Sequence, residues 1–132
     1  MKINIESIPH EQHRYTTVGD WWFDKDGTIQ IRTSNLSDWR YEALIAVHEL
    51  VEFLLCKNDG VATQTVDDFD KAYEAARDSG DVSEPGDDPN APYVKQHCIA
   101  TGIERILAAE LGVKWKPYEQ ELFDLPEVPA KE

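Results

Sequence analysis

Apolar positions along the chain change their spacing once, near residue 36. Before that point they alternate with polar ones. Ile3 and Ile5 do so at the start, and Ile29 and Ile31 do so within "TIQIRTS". The intervening "HRYTTVGDWWFD" is rich in β-branched and aromatic residues, which suit a pleated, half-buried surface. Between these last two stretches lies "DKDG", whose Asp26-Gly27 pair is a tight-turn signal, so residues 15–33 are predicted to form a hairpin, with Ile3–Ile8 as a third strand.

Beyond residue 36 the spacing becomes helical. Ser37 offers an N-cap with Asp38 in the first turn, and a helix is expected to run to about Lys57, stopped by Gly60. A shorter helix is expected from "TVDD", where Thr65 and Asp68 have capping-box spacing, through "FDKAYEAARD". Residues 78–92, "DSGDVSEPGDDPNAP", read as a loop and a candidate lid. Asn90 and Pro92 suit the opening of a third helix that reaches "ELG" at 110–112. After Pro117 a partly ordered tail is expected, with Trp115, Tyr118 and Phe123 as docking residues. The expectation is one α+β domain over 1–132: a small antiparallel N-terminal sheet (1–36), a three-helix part (37–116) and a C-terminal tail (117–132).

Composition narrows the class of protein. A chain of 132 residues, 41% of them hydrophobic, has material for one core. It contains no apolar run approaching about 18 residues, and "MKINIESIPHEQH" lacks the basic-then-apolar layout of a signal peptide. The expected location is therefore cytoplasmic, without a membrane partner. Cys56 and Cys98 both fall inside predicted helices and are expected to be reduced and buried. With 13 Lys+Arg against 26 Asp+Glu, the formal net charge of −13 argues against a nucleic-acid partner. Such a surface suits solubility, attraction of metal cations, or occupation of a basic host protein in place of nucleic acid.

Candidate chemistry lies on the first and third helices. "AVHELVEFLLC" carries Leu44, Val47, Val51, Leu54 and Leu55 on its expected inward side, yet also His48, Glu49 and Glu52. At about 3.6 residues per turn, positions 41, 44, 45, 48, 51, 52 and 55 share one face. His48 and Glu52 therefore stand side by side within an apolar stripe. The third helix repeats the anomaly, its apolar face holding His97 and Glu104. A buried carboxylate needs a partner or a metal. His48, Glu52 and His97 supply the nitrogen and oxygen donors that zinc takes, leaving a fourth position for water. Glu49 is then the candidate general base, and Glu104 is a further ligand, a partner orienting a histidine, or the third ligand in place of Glu52. Without a metal, the two histidines would be core residues paired to Glu52 and Glu104. His10 and His13, in "PHEQHR", read as a solvated turn, and Arg40 as the partner of an acidic neighbour or of a substrate carboxylate.

"VHELVE" resembles the His-Glu-x-x-His signature of zincin metallopeptidases, matched at His48 and Glu49 and ending in Glu52 where that family has its second histidine. The resemblance implies a small sheet before the active-site helix, an edge strand able to pair with extended substrate, here "TIQIRTS", and a third ligand from a later helix, here His97 or Glu104. It also implies a zinc-dependent hydrolase acting on peptide or another small substrate. The chain is similar as well to small uncharacterised phage and prophage proteins. A different resemblance, "ELVE" followed by "DDFD", is to the all-α nucleotide pyrophosphohydrolases of the MazG type, and implies magnesium held by Glu49, Glu52, Asp67 and Asp70. As the cofactor, magnesium or manganese is the alternative to zinc. A third reading is a non-catalytic acidic binding or inhibitor protein whose His-Glu cluster, with or without a structural metal, only holds two helices together.

Overall fold

The computed structural model describes residues 1–131. Two strands, β2 (Gly19–Phe23) and β3 (Ile29–Ser34), form the expected antiparallel hairpin. Its turn is closed by Asp24, whose carboxylate accepts from the N–H groups of Asp26 and Thr28 at 2.9 and 3.1 Å, while Gly27 adopts a left-handed φ of 79°. The first strand, β1 (Ile3–Ile8), joins the other side of β3 and runs parallel to it, giving the order β1-β3-β2. The sheet is therefore mixed rather than antiparallel. Two successive chain reversals make β1 and β3 point the same way, and neighbouring positions in the sheet then pair them in parallel. "TIQIRTS" is consequently the central strand, and the edges are β1 and β2.

The described residues then form four helices where three were expected: α1 (Trp39–Asp59), α2 (Thr63–Ala75), α3 (Val94–Glu110) and α4 (Trp115–Phe123). Asp38 rather than Ser37 caps α1, accepting from the Arg40 N–H at 2.9 Å, and Gly60 ends the helix at φ 75°. For α2, residue 62 occupies the cap position and the Thr65-Asp68 box does not form, because Thr65 already lies within the first turn. The fourth helix occupies the stretch expected to be a partly ordered tail and begins just before Pro117. A proline in a helix's first turn removes an N–H that has no partner within the helix in any case.

α1 packs against both the sheet and α3, and its buried residues are Leu44, Ile45, His48, Glu52, Phe53 and Cys56. Leu54, expected inside, is exposed. One apolar cluster joins the sheet to the far end of α1 through Trp21, Ile31 and Phe53, and another joins the near end to α3 and α4 through Leu44, Ala108 and Tyr118. His48 and Glu52 lie between these clusters along α1. Both cysteines are free, but Cys98 is exposed rather than buried, being on the outer side of α3. No helix is long and apolar enough to cross a membrane among the described residues.

Candidate metal centre

The helical spacing of α1 brings His48 and Glu52 to the face that meets α3, and α3 answers with His97 and Glu104. His48 Nδ1 lies 2.7 Å from Glu104 Oε1, and Glu104 Oε2 accepts from the Tyr118 hydroxyl at 2.7 Å. His97 Nε2 lies 2.9 Å from Glu84 Oε2 and 3.2 Å from Asp87 Oδ1. Carboxylates only accept. The outer nitrogen of each ring therefore carries a proton.

The inner nitrogens consequently face one another. His48 Nε2 is 3.2 Å from His97 Nδ1 and 3.3 Å from Glu52 Oε2, and His97 Nδ1 is 3.0 Å from that same oxygen. The other oxygen of Glu52 accepts from Trp21 Nε1 at 3.0 Å, leaving one oxygen for the cluster. Two imidazole lone pairs and a carboxylate oxygen so converged repel each other unless a cation, either a proton or a metal, lies among them. Metal–ligand bonds of about 2.0–2.1 Å in tetrahedral geometry place donor atoms on the order of 3.3 Å apart. The observed triangle fits, so the residues present are able to hold zinc.

Electrostatics agree that the cluster draws positive charge. Burial disfavours the imidazolium of His48, but the carboxylates of Glu104 and Glu52 outweigh it and hold its pKa well above the ordinary value. His97 behaves alike: burial is outweighed by Glu52 and Glu84, and its pKa rises to about 10. For Glu52, burial is overcome by the two histidines, which pull its pKa down to about 2. Glu49 differs: burial, reinforced by the adjacent Glu52 carboxylate, pushes its pKa well above the carboxylate range. Its side chain packs against β2 at Gly19, where a Cβ would come within 2.5 Å of Glu49 Oε1.

Most of these groups line a cleft of about 320 Å³, bordered also by Tyr15 to Trp21, by the loop from Gly80 to Gly86, and by Leu122, Phe123 and Leu125 to Glu127. The loop contributes a short 3-10 turn, Pro85–Asp87, with Gly86 against the His97 ring. Any side chain at position 86 would run into that ring. The expected lid is thus realised as a cover that supplies Glu84 and Asp87.

All five candidate residues from the sequence, His48, Glu49, Glu52, His97 and Glu104, line the cleft. Glu104 orients His48 from the far side of the ring and does not join the convergent donors. Glu84, Asp87, Trp21 and Tyr118 were not anticipated. The first two sit in a loop without periodicity, and Tyr118, expected only as a docking residue of a partly ordered tail, is the buried residue of α4. Asp67 and Asp70, expected on a solvated helix start or beside Glu49 and Glu52, are buried and otherwise engaged. Asp67 and Asp20 share the Arg14 guanidinium, while Asp70 accepts from the hydroxyls of Tyr15 and Tyr93. No group of four carboxylates assembles with them among the described residues.

His13, expected in solvent, is also buried. His10 and His13 flank Ser34, with His10 Nδ1 and His13 Nε2 at 2.7 and 3.0 Å from its Oγ, and His13 Nδ1 has no partner. Arg40 pairs with Asp38 and donates to the Leu111 carbonyl. Comparison of the chain with protein-family models, curated proteins and solved structures returns no match.

Proposed function

We propose that this protein is a metal-dependent hydrolase holding one divalent ion, zinc in the first instance, through His48 Nε2, His97 Nδ1 and Glu52. The observation that carries the reading is the convergence of the two inner imidazole nitrogens and one carboxylate oxygen within 3.3 Å of one another, each ring held from outside by a carboxylate. A metal bound there supplies an acidified water and a Lewis acid for a polarised carbonyl or phosphoryl oxygen.

The protein's own residues do the rest. Glu104 and Glu84 keep the ring protons on the outer nitrogens. Trp21 holds the second oxygen of Glu52, so the carboxylate presents only one. Glu49, beside the cluster, takes a proton from water and returns it to the leaving group. Peptide substrates are suggested by the likeness of "VHELVE" to the zincin signature, and by an edge strand, β2, that lines the cleft.

The test is metal content, measured by plasma mass spectrometry on protein purified without chelator. About one transition-metal ion per chain is expected, with loss of the ion in His48→Ala/His97→Ala. A second reading, a non-catalytic acidic binding protein, is favoured by one observation: all four ring nitrogens of His48 and His97 have partners within the protein, so protons alone can close the cluster. A wild-type chain that takes up no transition metal under zinc supplementation sinks the hydrolase and leaves this alternative.

A further inference from the structure

Residues 125–131 follow α4 and pass along the rim of the cleft, with Leu125, Pro126 and Glu127 lining the same cavity as His48, Glu49 and His97. Pro126 and Pro129 prevent the helix from continuing. Among the described residues, no bond between backbone groups ties 126–131 to the body of the protein.

What holds the segment is the arm at residues 10–16. His10 Nε2 donates to the Pro126 carbonyl at 2.7 Å. The Val128 N–H donates to Thr16 Oγ1 at 2.9 Å, and Lys131 Nζ donates to the Glu11 carbonyl at 2.7 Å. Val128 is the one buried side chain of the stretch, and its neighbours from 126 to 131 are exposed. So few attachments place the segment among the parts of a fold that open most easily.

The pattern of attachment also says what the arm recognises. Its side chains satisfy a carbonyl at one residue and an N–H two residues later, and a small apolar side chain enters at the second. Those are the main-chain groups of any extended peptide, read without regard to most of its side chains.

We propose that residues 125–131 are a displaceable strap seated in a groove for an extended peptide, and that a peptide entering in trans moves the strap aside and lies beside the His48–Glu52–His97 cluster. The groove stands on these contacts alone, and its service to hydrolysis rests on the function proposed above.

The experiment titrates a fluorescent peptide of residues 124–131 into the full chain, metal-free and zinc-supplemented, with amide exchange read at residue 128. The variants are Val128→Asp, Val128→Ala and Val128→Asp/Thr16→Val. In the wild type, only molecules with the strap open are competent, so the peptide binds about 10- to 100-fold more weakly than to Val128→Asp. Protection at residue 128 falls in Val128→Asp and, to a smaller degree, in Val128→Ala. Adding Thr16→Val removes the peptide's acceptor and reverses the gain in binding. Persistent protection in both single variants would show the segment to be an integral part of the fold and overturn the strap. A released segment with no binding in trans would overturn the groove. Peptide binding without zinc uptake defeats only the hydrolase, and zinc uptake without peptide binding defeats only the strap.

Discussion

Glu49 is separated from the other acids of the cleft by what it lacks. Glu52, Glu84 and Glu104 each accept hydrogen bonds from the cluster, whereas no hydrogen bond to Glu49 is formed among the described residues. Glu49→Gln should therefore keep the metal and lower turnover by roughly 10²- to 10⁴-fold, as read from parallel metal analysis and hydrolysis assays. Loss of the metal in that variant would make Glu49 a ligand. His13 makes a separate prediction about stability. Burial, reinforced by His10, Arg32 and Lys131, lowers its pKa from 6.5 to about 4. Between those values the unfolded chain binds a proton that the folded one refuses, so stability falls as pH drops, by at most about 1.4 kcal/mol per pH unit. Asp70, raised by burial to about 7, has the opposite sign, because the folded chain keeps a proton that the unfolded one releases. Denaturant titrations of the wild type and His13→Gln between pH 4 and 6.5 separate the two, and the variant should lose the His13 share of the slope.

At the scale of elements, the site depends on two helices and one loop holding a common register. α1 and α3 bring their histidines into contact at a ring separation of 4.8 Å. The 78–92 loop then closes on His97 only because position 86 has no side chain. Gly86→Ala should push the Pro85–Asp87 turn away and free the outer nitrogen of His97, at a cost of about 10- to 100-fold in metal affinity. Helix content should be unchanged, since position 86 lies outside α1 and α3. Competition with a chromophoric chelator, beside far-ultraviolet circular dichroism, reads both. Unaltered affinity would mean that Glu84 and Asp87 do not support the site.

For the whole molecule, α1, α3, the 78–92 loop and α4 meet at one acidic point within a chain of net charge −13. A cation bound there stabilises the folded state in proportion to its saturation: zinc at about 100 times its Kd adds about 2.7 kcal/mol, a rise of several degrees in Tm for a chain of this size. Chelator should reverse the rise, and His48→Ala/His97→Ala should show none. A thermal shift that survives in the double variant would place the binding elsewhere on the acidic surface.

Sequence by itself determined the α+β order, the hairpin turn at Asp26-Gly27, the end of α1 at Gly60, and the placing of His48 and Glu52 on one apolar helix face and of His97 and Glu104 on another. Each of these follows from local spacing: period two, period 3.6, or a left-handed glycine. Tertiary structure alone decided which strand is central, because alternation marks a strand but not its neighbours. It alone decided that Glu104 serves His48 from the outside, since which face of a ring a carboxylate approaches depends on the crossing of two helices. Likewise, burial of His13, Asp67 and Asp70, and the arrival of Glu84, Asp87 and Tyr118, depend on contacts between residues far apart in the chain, to which no local period corresponds.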